Sequence, residues 1–156
     1  MTNRTENHAE EQAAAQYSSI VDMLAAVECD YDRLQELRDT DPEDLTDEDR
    51  EELAELEAAA GDCEDEEDAR QRIQEDPLSV EVRSDWASPG EELTAGEFQI
   101  LLCTGGPAVR IVGELDRGEP CRAWLEYQDW GTPWTQYFGA SSDTLCQYAS
   151  HFFFGE

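Results

Sequence analysis

Apolar side chains recur at Tyr17, Ile20, Leu24, Val27, Tyr31 and Leu34, at alternating intervals of three and four residues. That spacing predicts one amphipathic helix from about Glu10 to about Arg38 with a heptad seam along it. Two to three heptads are short for an independent coiled coil. The seam therefore fits a neighbouring helix, a sheet, or a second copy of the chain as a homodimer. Residues 1–9 precede the pattern and read as disordered. Pro42 disfavours helix at Asp41, so Asp39 to Leu45 reads as a turn. Thr46 then stands as a helix N-cap, with Asp47, Glu48 and Asp49 in the positive first turn. Leu53, Leu56 and Ala60 give this second helix a thin apolar stripe, and Gly61 offers a C-terminal cap. A third helix is expected over about Glu64–Gln74, anchored by Ala69 and Ile73 and stopped by Pro77.

After Pro77 the period changes from helical to alternating. Ser79–Arg83 reads as an edge strand, and Phe98–Cys103 and Val109–Leu115 as two strands joined through Thr104-Gly105-Gly106-Pro107. Cys121–Tyr127 alternates with Ala123 and Leu125 on one face and Arg122, Trp124 and Glu126 on the other. Trp134–Phe138 is a fifth, short strand. A last helix is expected from Ser141 or Ser142 to about Phe153, with Leu145, Tyr148, Ala149 and Phe152 inward. The fold class is α+β: acidic N-terminal helices packed with a four- to five-stranded antiparallel sheet and a C-terminal helix. The division by composition is a helical region over 10–76 and a sheet region over 77–156.

Charge changes this picture from one of fold to one of partners. Of 39 acidic residues, 27 fall in residues 1–76, with six of the ten cations; all ten are arginine and lysine is absent. The first half carries −21 and the second −8 of a net −29. Such a chain repels nucleic acid and membranes and attracts basic surfaces, which nucleic-acid-binding proteins most often present. No apolar run approaches a membrane span and no secretory leader is visible, so a cytoplasmic location is expected. The five cysteines (Cys29, Cys63, Cys103, Cys121, Cys146) show no CxxC pairing and read as free, mostly buried thiols.

Candidate chemistry narrows accordingly. Cys103 sits beside a Gly-Gly turn, but a nucleophile needs a base, and His151 is the only histidine in the second half. No catalytic residue, metal ligand or cofactor is expected. Asp39, Asp41 and Glu43 alternate as in a calcium loop, yet Asp44 and Arg50 occupy the positions where glycine and glutamate are required. Arg117 and Arg122 face Glu114, Asp116, Glu119, Glu126 and Asp129, which disfavours base stacking by the many aromatics of 124–154. Trp130 and Trp134 flank an exposed Gly-Thr-Pro loop and are candidate anchors for a protein contact.

The acidic run is the stronger candidate. Asp47, Glu48, Asp49, Glu51, Glu52, Glu55, Glu57, Asp62, Glu64, Asp65, Glu66, Glu67 and Asp68 form the expected partner-binding surface. At about 1.5 Å per residue the helix Asp47 to Ala60 spans about 21 Å. Duplex DNA of that length presents about 12 phosphates, against seven carboxylates on this helix. Asp22, Glu28, Asp30, Asp32 and Glu36 on a neighbouring helix, or a second chain, could supply the remainder. A merely solvated face and adaptation to high salt compete with this reading. High-salt adaptation spreads charge evenly, which the −21 to −8 split does not match.

The stretch Asp76-Pro77-Leu78-Ser79-Val80-Glu81-Val82-Arg83, the Trp130-Gly131-Thr132-Pro133-Trp134 loop and the ending Phe152-Phe153-Phe154-Gly155-Glu156 resemble small acidic proteins of bacterial conjugative elements and phages. The resemblance covers roughly the second half and carries over no catalytic residue. It implies an inhibitor of the antirestriction or anti-CRISPR type, a type that includes acidic DNA mimics. The expected partner is then a nuclease or CRISPR effector held by its basic groove, without direct nucleic-acid binding. The alternative is a self-associating adaptor that uses the heptad seam and the aromatic half. A cysteine-dependent enzyme built on Cys103 is a third, more distant class.

Overall fold

Asp30 interrupts the N-terminal helix. In the computed structural model, which describes residues 3–155 and side chains from residue 8 onward, α1 spans Asn3–Glu28 and α2 spans Tyr31–Asp39. The heptad pattern predicts one helix through this point. The Asp30 carboxylate instead accepts the Arg33 N–H at 3.0 Å, the Asp30 backbone turns extended, and a new helix starts. A side chain that satisfies orphan amides locally outcompetes a helix that continues. The helix also begins at Asn3 rather than near Glu10, whereas residues 1 and 2, part of the segment read as disordered, lie outside the described residues.

Thr46 caps α3 (Asp47–Ala60) through a reciprocal box: its hydroxyl accepts the Asp49 N–H, and the Asp49 carboxylate accepts the Thr46 N–H, each at 3.1 Å. Gly61, at φ +57°, closes the other end by donating its N–H to Glu57 O. Helix α4 spans Glu66–Glu75, with Ala69 and Ile73 buried. Five strands follow: β1 (Ser79–Ser84), β2 (Ala95–Cys103), β3 (Ala108–Asp116), β4 (Glu119–Gln128) and β5 (Thr135–Tyr137), and then helix α5 (Ser142–Ala149). They form one antiparallel meander in chain order, so the protein has the α+β fold its sequence predicts. Arg117 and Gly118, both at positive φ, make the two-residue turn between β3 and β4, which suits the right-handed twist of paired strands.

The chain divides into two compact units, one of residues 1–20 with 74–156, the other Val21–Ile73. In the first, one face of the sheet carries the core: Phe98, Ile100, Leu102, Val109, Ile111, Ala123 and Leu125, with Leu145, Tyr148 and Ala149 from α5. Tyr148 is fully buried, and its hydroxyl donates to Asp76 at 2.8 Å. The last helix stops at Ala149, four residues short of the expected end, because the chain turns through Ser150–Phe152. As a result Phe154, not Phe152, is the buried ring, 4.9 Å from Phe98. In the second unit, Leu24, Ala26, Leu34, Leu37, Ala60, Ala69 and Ile73 are buried. No described helix is long and apolar enough to cross a membrane.

Candidate functional site

The seam proposed for self-association is largely consumed within one chain. Ile20, Leu24 and Leu34 are buried there, while Tyr17, Val27 and Tyr31 are half-buried. The Tyr31 hydroxyl donates to Ala26 O at 2.6 Å, and the Tyr17 hydroxyl accepts the Ser141 N–H at 3.1 Å. A homodimer through these six residues would have to expose what the monomer already covers.

The carboxylates sort differently. Val21–Ile73 carries 22 acidic residues and five arginines, −17 of the chain's −29 on about a third of its length. Within it, Arg33 on α2 reaches across to α3. Its guanidinium grips Glu52 through two nitrogens at 3.1 Å each, meets Asp49 at 3.3 Å, and pairs with Glu36 at 3.3 Å. Arg38 pairs with Glu57 at 3.4 Å, Arg70 with Glu66 at 2.6 Å, and Arg72 with Asp68 at 3.5 Å. Asp47 lies 3.8 Å from Arg50. Among the described residues the other seven predicted acids, Glu48, Glu51, Glu55, Asp62, Glu64, Asp65 and Glu67, form no ion pair.

Spacing decides which of these can act together. Glu48, Glu51 and Glu55 recur at three and four residues, so they stand along one exposed face of α3. The face bearing Asp49, Glu52, Leu53 and Leu56 is turned toward α2 and is partly covered. Three carboxylates over about 10 Å of helix give one per about 5 Å, against one phosphate per about 3.4 Å along a single DNA strand. The seven carboxylates counted on the sequence are thus three on the outward ridge. At the start of α4, Asp65 accepts the Asp68 N–H at 2.7 Å and Asp68 accepts the Glu64 N–H at 3.0 Å. Asp62, Glu64, Asp65, Glu67 and Asp68 rim a shallow depression that also contains Gln71 and Arg72.

Two of the acids are committed to folding. The Thr46 amide and hydroxyl, with Arg33 as a lesser contributor, hold the Asp49 carboxyl below the usual carboxylate range. A lowered native value contributes stability that is present above the unfolded pKa of about 3.9. It is lost as the pH falls through the native value. A Thr46→Ala variant is expected to lose about 1 kcal/mol at neutral pH and to show a flatter acid limb in its melting temperature. An acid limb steeper than that of the wild type would contradict this account of the cap.

The two tryptophans part company. Trp130 is 82% exposed, held out by a turn in which Thr132 donates its N–H to Asp129 O at 3.1 Å and its hydroxyl accepts the Asp129 N–H at 3.0 Å. Trp134 is half-buried beneath the Arg110 guanidinium, which lies 4.0 Å from the ring centroid. Arg110 also pairs with Glu126 at 2.7 Å and donates to Gln99 at 3.0 Å. Sequence reading missed Arg110. Its signal was alternation: it lies between Val109 and Ile111, whose side chains face the core.

All five cysteines are free, but none is fully buried: Cys121 is exposed and the rest are intermediate. Burial pushes the Cys103 thiol up from its ordinary value, and the groups bearing on it are the Val109 backbone and the Gln12 and Gln16 side chains, none of them a base. Among the described residues no group of His, Cys, Asp and Glu side chains is placed to hold a metal ion. Comparison with protein-family models, curated proteins and solved structures finds no match.

Proposed function

We propose that this protein is a non-enzymatic inhibitor of a nucleic-acid-binding defence system, of the antirestriction or anti-CRISPR type, acting in the cytoplasm. The carrying observation is the partition of charge. One compact unit holds −17, and its arginines pair with some of its own carboxylates while leaving Glu48, Glu51 and Glu55 outward in a row. A basic groove that grips phosphates meets in that row carboxylates at comparable spacing, and docking releases the counterions held on both surfaces.

The direct experiment is displacement. Purified protein is titrated into restriction nucleases and CRISPR effectors bound to labelled duplex DNA, at low and high salt. Release of DNA from at least one of them, weakening steeply as salt rises, is the expected result. A complex equally tight at both salt concentrations would count against an acidic docking face.

Trp130 favours a second reading, a partner-binding adaptor. Its ring projects from a tight turn with little packing of its own. Trp130→Ala is expected to leave the melting temperature within about 1 °C, since exposed substitutions cost within about 0.5 kcal/mol. If that variant abolishes partner capture while charge reversal does not, the adaptor reading replaces the inhibitor one.

A further inference from the structure

Strand β1 is an open edge with an apolar side. It ends the strand order, and among the described residues nothing pairs with its outer edge. Val80 and Val82 stand opposite Ile100 and Phe98, so they share the core-facing side of the sheet. Ile100 and Phe98 are covered, whereas Val82 is 49% exposed, Leu78 59%, and Trp86, just past the strand, fully exposed. Glu81 and Arg83 occupy the other side. Edges of this kind are usually blunted by lysine, proline or a bulge in the edge strand. Here there is neither lysine nor proline within the strand, and the irregularity near Ser84 places the extra residue on β2.

We propose that β1 pairs antiparallel with β1 of a second copy of this chain, about a two-fold axis at Val82. The sequence of the strand selects both the partner and the register. With the axis at Val82, Glu81 of each copy faces Arg83 of the other, twice by symmetry, and the two Val82 side chains meet on the apolar side. In the same register Leu78 falls opposite Trp86, the two most exposed apolar residues of the region paired with each other. Moving the axis to Glu81 or to Arg83 sets that charge against its own copy. The five-stranded sheets would become one continuous sheet of ten. This interface is independent of the acidic ridge and of the function proposed for it.

Two copies at −29 each repel, so the interface is weak at low salt. At about 0.15 M salt the screening length is about 8 Å, which suppresses the distant charge and leaves facing side chains in contact. Sedimentation at that ionic strength, from low micromolar to millimolar protein, is expected to show a monomer–dimer equilibrium. Glu81→Arg alone sets Arg against Arg83, and Arg83→Glu alone sets Glu against Glu81. Each raises the dimer dissociation constant by about tenfold. An equimolar mixture of the two variants restores opposite charges at both positions and recovers association as a heterodimer. Val82→Lys, at an exposed position that the monomer does not need, places two ammonium groups on the axis and yields monomer. This variant keeps the test valid if Arg83→Glu, which sets a second carboxylate beside Glu97, fails to fold. A wild type that stays monomeric throughout, a Val82→Lys chain that dimerises like the wild type, or a mixture of two folded variants that associates no better than each alone, overturns the proposal.

Discussion

Reversing Glu48, Glu51 and Glu55 to lysine is expected to lower affinity for a basic nucleic-acid-binding partner by about a hundredfold or more. The slope of log affinity against log salt should also flatten by about three. The three residues are exposed, share one helix face and take part in no ion pair, so their loss removes docking contacts and leaves the fold alone. The melting temperature should hold or rise, because the change relieves repulsion within a unit of charge −17. Glu52 and Asp68 do not belong in this variant. Glu52 fastens α3 to α2 through Arg33, and Asp68 accepts the Glu64 amide, so changing either would confuse misfolding with lost binding. Equal affinity of the triple variant and the wild type for a target that the wild type inhibits would remove the ridge from the mechanism.

Phe98→Ala should be the most damaging single change to the sheet unit. The ring is 2% exposed, lies 4.9 Å from the Phe154 ring, and fills the space above Gly113, where an added methyl group would collide with it and with the Arg122 carbonyl. Truncating it costs about 3–5 kcal/mol, or a fall of about 10 °C in melting temperature for a chain of this size. Gly113→Ala should also destabilise, by overpacking rather than by a void. A calorimetric scan in which Phe98→Ala melts within about 2 °C of the wild type would show that the space is refilled by neighbours.

The strands, their order and the helix caps were legible because each rests on chemistry local to the sequence. Alternation in Phe98–Cys103 and Val109–Leu115 placed β2 and β3, and Thr46 with Asp49 marked the start of α3. What was illegible depends on side chains meeting across elements. The heptad spacing runs in phase through Asp30, so only the capping hydrogen bond reveals the break. Phe152, Phe153 and Phe154 are identical in composition, and the turn after α5 alone decides that the third is buried. The acidic surface was visible as a run. Its division into paired and outward carboxylates was not, because it depends on Arg33 and Arg38 lying on α2, opposite α3.

The N-terminal helix has a consequence for dissecting the molecule. Residues up to Ile20 count with the sheet, and from Val21 onward with the acidic unit, yet the backbone runs through as one helix to Glu28. Severing the polypeptide at Pro77, where composition changes, would strip the sheet of a segment it owns, including the buried Ala9, Ala13 and Ile20. A fragment of the second half expressed alone should therefore be prone to aggregate, and adding residues 3–20 as a separate peptide should rescue it.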